Sequence, residues 1–260
     1  MYFKPLFILA MLHSFYCNNV LVRVEKKETT TPSGVNGVNE NPYPFIKDIP
    51  LPEGFTRVET GSFGKYLRQI PLKKDRTVYL FNGRPKDNQT AQFAVLDISV
   101  GNQDLQQCAD AIMRLRAEFL YAEKRFDQIS FADNNSKAYL FYPPYTVANF
   151  NKYLLRVFSM CGSASLSKQL HPVAGLSAIE PGDVIIRGGF PGHAVIAVDV
   201  AMNSAGAKIY LLAQSYMPAQ DIHILVNPAD ENLSPWYSVN NNKLIQTPEY
   251  LFYSNELKKW

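Results

Sequence analysis

Apolar positions along this chain follow two periods. Between Asp104 and Phe126, Leu105, Cys108, Ala109, Ile112, Leu115 and Phe119 recur at spacings of three and four, the signature of a helix with one buried face. Asp104 is placed as its N-cap, and Gln107 three residues on completes a capping-box pattern. The expectation is a long helix starting near Asp104, with Cys108 in its first turn. A second helical run spans Val147 to Met160, breaks at Gly162 and resumes through "ASLSKQL". Elsewhere the pattern is strand-like. "RTVYLFNG" (76–83) and "AQFAVLDISV" (91–100) are bounded by the turn signals "GRPKDN" and "GNQD", and "DVIIR", "HAVIAVDV" and "KIYLLAQSY" are separated by "GGFPG" and "MNSAGA". Strands, then helices, then a meander of strands describe an α+β chain with a central antiparallel sheet packed against the helix.

"HAVIAVDV" is apolar at both parities, as in a strand buried on both faces, yet His193 stands at its mouth. With a hairpin loop centred on Asn203-Ser204, Asp199 faces Lys208, Ala197 faces Tyr210 and His193 faces Gln214. Asp199 lies six residues along the strand, roughly 20 Å away at ~3.3 Å per residue, so it cannot orient the imidazole. Gln214 is the expected orienting partner, with Ser215 or Tyr216 as the alternatives.

Cys108 is the candidate nucleophile. The positive end of a helix and its unpaired N–H groups favour a thiolate, and a histidine within reach serves as general base. A small apolar core residue is the alternative. A Cys108–Cys161 disulfide is another, since Cys161 sits at the helix break. Gly192 leaves room for a backbone or ligand to approach, and Arg187 suits a carboxylate. Trp236 and Tyr237 either line a cleft or close the core. His223, Arg114 and Arg116 read as solvent-facing. No HExxH, CxxC, P-loop or GxSxG pattern occurs in the sequence, so neither a metal site nor a cofactor is expected.

Composition adds bounds rather than detail. The 260 residues are 47% apolar and 19% charged, with a net charge of +3 and scattered Lys and Arg, which does not suggest a nucleic-acid partner. "MYFKPLFILAMLHSFYC" reads as a signal peptide over 1–17, with a lipid anchor at Cys17 as the alternative and the sole route to a membrane. Residues 18–44 read as a flexible linker and 45–260 as one domain. The expected protein is exported, in the periplasm or cell envelope, and monomeric.

"DLQQCADAIMRLRAEFLY", "PGDVIIRGGFPGHAVIAVDV" and "LLAQSYMPAQDIHIL…SPWY" resemble the exported bacterial family named domain of unknown function 4846, which brings no established activity. More distantly, a cysteine opening a helix followed by a Pro-Gly-Asp strand, a Gly-His strand and a polar residue on the next resembles the papain-like NlpC-type cell-wall cysteine peptidases. That resemblance covers roughly Asp104 to Gln214. It implies a papain-like fold with Cys108 as nucleophile, His193 as base and Gln214 as third member; Gly192, Arg187, Tyr216 and Trp236, read from their own positions, are the candidate substrate-binding residues beside them. It further implies a substrate of peptidoglycan-type peptides, or, without catalysis, an exported domain binding such ligands in the same cleft. The chain departs from that pattern in its "QQCADA" context and in a long Cys-to-His spacing.

Overall fold

The computed structural model describes residues 40–240 and 243–260. The expected signal peptide, Cys17 and the expected linker up to residue 39 lie outside the described residues. Residues 40–44, expected to be linker, are tied to the body: Asn41 is buried, its amide donates to the Lys74 carbonyl at 2.7 Å, and its side chain holds the Lys73 carbonyl.

In chain order, strand β1 (Phe55–Arg57) leads to helix α1 (Ser62–Arg68), strand β2 (Gln92–Val95) and helix α2 (Cys108–Ala122). A hairpin of β3 (Ser130–Ala132) and β4 (Ala138–Leu140) precedes α3 (Val147–Met160) and α4 (Ser163–Gln169). There follow β5 (His171–Pro172), β6 (Val184–Arg187), β7 (His193–Asn203), β8 (Lys208–Gln214), β9 (His223–Leu225) and β10 (Tyr237–Ser238). A hairpin of β11 (Leu244–Gln246) and β12 (Leu251–Tyr253) and a last strand β13 (Leu257–Lys259) complete the chain. The fold is mixed α+β, with four α-helices among the described residues. Its main sheet has the order β2-β9-β8-β7-β6-β13-β5, with β1 added to β7 and β10 to β8, and all of its pairings are antiparallel.

Helix α2 is shorter than its sequence pattern suggests. It runs for 15 residues from Cys108, about 22 Å at 1.5 Å per residue. The cap sits three residues later than expected: Gln107 is the N-cap residue, and Asp110 accepts from its backbone amide at 3.1 Å. Asp104 is drawn away because its Oδ1 accepts from the Ala219 amide at 2.7 Å, which pins the approach to α2 against the end of β8. Helix α3 has the expected bounds. Thr146 caps it by accepting from Asn149 N, and Phe150, Tyr153, Leu154 and Val157 form its buried stripe. Residues 76–83, expected as a strand, make only isolated bridges, because Asp221 and Gln89 side chains take up the amides of Tyr79 and Val78.

Strand β7 is central. One edge carries β8; the other is shared by β6 near His193 and β1 near Asn203. Ala194, Ile196, Val198 and Ala201 join the core beneath α1 and α2, while Val195, Ala197 and Val200 join a second core with Tyr210, Leu212, Ile245 and Phe252. The β7–β8 register differs from the expected one. The loop is centred on Ala205, closed by Asn203 N to Ala207 O and Gly206 N to Asn203 O, with Gly206 at φ +82°. This is a three-residue hairpin connection with glycine in the left-handed position. Asp199 therefore pairs with Leu211, and Lys208 with Met202. A bulge between Ala197 and Asp199 then resets the pairing to Ala197 with Leu212. On the His193 side of the bulge the offset from the expected register is two residues, so every side chain keeps its face.

Asp199, freed from Lys208, is fully buried. Its Oδ2 accepts from Arg57 Nε and its Oδ1 from Arg68 Nε, both at 2.6 Å. Arg57 also reaches the Ile49 carbonyl, and Arg68 those of Val58 and Val200. One carboxylate thus fastens β1 and α1 to the sheet. Replacing one arginine leaves a buried charge half-compensated, so Arg68→Met is expected to lower stability by roughly 3 kcal/mol, read as a shift in the urea unfolding midpoint at unchanged slope.

Candidate functional site

The site assembles where β7 begins and β8 ends. His193 is 2% exposed, and its ring lies 4.5 Å from Tyr216, 4.9 Å from Tyr250 and 5.7 Å from Phe252 between centroids. By strand parity it points with Val195 and Ala197 into the second core. Its Nε2 is 2.8 Å from Gln214 Oε1, so the sequence-based pairing meets in space, across a diagonal rather than directly opposite. Burial pushes the imidazole down to about 4, against a smaller upward pull from Gln214.

Cys108 approaches from the other side. It is the first residue of α2 and packs with the core under the helices. The thiol meets the backbone amides of Ala109 and of Ala194, the residue after His193, and it lies close enough to Tyr216 to affect that ring electrostatically. No hydrogen bond joins Cys108 to His193 among the described residues; the two flank the first peptide of β7. The expectation of a helix-depressed thiol is overturned. Burial, reinforced by Asp110, pushes it up to about 11, and the amide contacts recover only part of that. Asp110 is itself buried, its carboxyl raised well above the usual range, and its Oδ1 is unpartnered. Cys108 and Cys161 are both free thiols.

The other expected binding residues are otherwise engaged. Arg187 forms a two-pronged ion pair with Glu256 at 2.6 and 2.9 Å and lies over Tyr250 and Tyr253, so its fork is not free for a substrate carboxylate. Trp236 is buried, and its indole N–H donates to the Pro50 carbonyl; it closes the core rather than lining a cleft. Gly192 answers to packing: a Cβ there would lie 2.4 Å from Ser163 Oγ and 2.7 Å from the Arg187 and Gly189 carbonyls. Tyr216 stays partly exposed against His193. Arg116, expected in solvent, is stacked over Phe63, Phe119 and Trp260. Arg114 is partly buried and bonded to Glu118, Gln106 and the Ser99 carbonyl.

Sequence reasoning missed the polar groups behind Gln214. Its Nε2 donates to Glu249 Oε2 at 2.9 Å, and the same oxygen takes Lys86 Nζ at 2.6 Å. Asn88 Nδ2 reaches the other Glu249 oxygen at 3.2 Å. His223, expected on the surface, is fully buried. Its Nδ1 is 2.9 Å from the Asp221 carbonyl and its Nε2 is 3.4 Å from Gln214 Nε2. Burial pushes its imidazole down to about 4 as well. Only His223 left a trace in the sequence, through its alternation with Leu225; Glu249 and Lys86 sit in turn-like segments far from Gln214 in the chain. A hollow of about 540 Å³ elsewhere, between Tyr210, Tyr237, Asp230 and Lys243, includes none of these residues. Among the described residues no group of His, Cys, Asp and Glu could hold a metal ion, and no helix is long and apolar enough to cross a membrane.

The family model described as Domain of unknown function (4846) matches residues 46–146 and 133–259. The chain belongs to this family. The two matches together take in α2, the β6–β8 meander, Lys86 and Glu249, so the site of this family-4846 chain lies wholly within them. No curated protein and no solved structure matches it.

Two outcomes follow from the electrostatics. A thiol near 11 carries about 100-fold less thiolate at neutral pH than one at the ordinary 9.0. Iodoacetamide should therefore label Cys108 in the folded protein about 100-fold more slowly than after denaturation, with a rate still climbing at pH 10 and no acidic plateau. Between pH 6.5 and 4 the unfolded chain protonates His223 while the fold refuses the proton, so this residue's contribution to stability is present above pH 6.5 and lost as pH falls. In urea titrations the stability gap between wild type and His223→Asn should narrow over that window, by up to roughly 3 kcal/mol.

Proposed function

We propose that this protein is a thiol hydrolase of amide bonds. The observation that carries the reading is the 2.8 Å bond between His193 Nε2 and Gln214 Oε1, one peptide from the amide that meets the Cys108 thiol. The amide oxygen only accepts, so Nε2 carries the proton and Nδ1 keeps its lone pair. In the first step Cys108 Sγ attacks the carbonyl carbon while its proton is relayed, with a water molecule as the bridge around the end of the strand, to His193 Nδ1 on the other side of the peptide. The Cys108 and Ala109 amides, which meet the resting thiol, are the proposed donors to the oxyanion once it forms beside them. The C–N bond then breaks as the amine takes that proton, and water releases the acyl group with His193 again as base. With the thiol pushed up and the imidazole pushed down, the resting pair is neutral, and the proton moves during attack rather than before it.

The papain-like NlpC resemblance supports this arrangement and makes peptidoglycan-type stem peptides in the cell envelope the proposed substrate class. Exposed Phe190, three residues before His193, and exposed Met217, three after Gln214, offer apolar edges for an extended peptide at this end of the sheet. A second reading, a silent binding domain using the same cleft, draws its support from the burial of His193 and the elevated thiol.

The test is hydrolysis of muropeptide fragments by the wild type, Cys108→Ala and His193→Ala, with folding checked by circular dichroism. The expected result is loss of turnover on the order of 10³-fold or more in both folded variants. Binding of the fragments without turnover, equally tight in Cys108→Ala, would replace the hydrolase with the binding domain.

A further inference from the structure

The buried polar groups beyond Gln214 form a chain with one consistent direction of hydrogen bonding. Glu249 Oε2 lies 2.6 Å from the Lys86 ammonium, so it is an acceptor, and the Gln214 group 2.9 Å away must be its NH₂. The Asp221 carbonyl likewise only accepts. His223 therefore carries its proton on Nδ1, and its bare Nε2 faces the second hydrogen of the same NH₂ at 3.4 Å. Both Gln214 hydrogens are thus taken, its oxygen can turn only toward His193, and His193 must donate from Nε2. A flipped Gln214 would set its oxygen against a carboxylate and against an imidazole lone pair, in a site where Gln214 and both rings are buried.

We infer that Glu249, held by Lys86 and seconded by His223, is a positioning residue that locks the Gln214 amide and thereby keeps Nδ1 of His193 as its one basic nitrogen. The catalytic meaning rests on the hydrolase reading; the lock itself does not. Its parts come from four separate regions, the turn at Lys86, the end of β8, β9, and the turn before β12. Replacing the ion pair by the near-isosteric Lys86→Met/Glu249→Gln removes the obligate acceptor and lets the amide turn.

The experiment is long-range ¹H–¹⁵N correlation on the full chain labelled with ¹⁵N-histidine, the His193 signals being assigned by their loss in His193→Gln. At pH 7.5 the wild type should show one pyrrole-like Nε2 and one pyridine-like Nδ1 for His193, and the opposite pattern for His223. In the double variant the His193 nitrogens should shift toward one another as an Nδ1–H population appears, while an unchanged far-ultraviolet circular dichroism spectrum certifies the fold. If the double variant does not fold, Glu249→Asp, which withdraws the carboxylate by one methylene, should give the same shift. A wild type already mixed at His193, or a folded variant that keeps His193 wholly Nε2–H, overturns the lock. The measurement uses no substrate, so a locked tautomer in a protein that cleaves no peptide would sink the hydrolase and leave the lock standing.

Discussion

Everything in this fold hangs on a strand that is buried continuously from His193 to Ala201. Strand β7 is covered on both faces by apolar cores and on both edges by neighbouring strands, and it carries a carboxylate in its middle. Asp199 is tolerable there because two guanidinium groups and the Val200 amide surround it. Those arginines bring β1 and α1 to the sheet, and the bulge beside Asp199 bends the pairing. That bulge keeps His193 and Gln214 on one face although the hairpin loop is displaced from its expected place.

The end of the same strand solves a second burial problem differently. His193, Gln214 and His223 are all removed from water, and each is satisfied by a partner whose hydrogen-bonding sense is fixed further along. Neutral donors and acceptors suffice until the chain ends at Glu249 and Lys86, nearer the surface. Burying a polar network is costly unless every member is paired; here satisfaction also gives the network a direction, which a set of interchangeable hydroxyls would lack.

Burial also decides the resting chemistry. A cysteine at a helix start would ordinarily be read as acidic, but the dipole acts over one turn while desolvation acts on the whole thiol. Asp110, placed to cap the same turn, adds to the upward push. A buried imidazole resists protonation for the same reason. Thiol and imidazole are therefore both neutral at rest, on opposite sides of one peptide, in contrast to a preformed ion pair.

The sequence by itself determined what local period and turn chemistry can carry. The span of helix α3, the meander of β6, β7 and β8, and the double-sided burial of β7 were legible because each is written in neighbouring residues. The meeting of His193 with Gln214 was legible too, although the register behind it was not, since an even displacement preserves the face. Tertiary structure alone decided the rest. The start of α2 moved because Asp104 found Ala219, Arg187 was withdrawn by Glu256, and Lys86 and Glu249 were delivered to Gln214 from distant turns. Those are contacts between segments far apart in the chain. They depend on where a bulge falls and which loop covers an exposed edge, and no local pattern of residues encodes either.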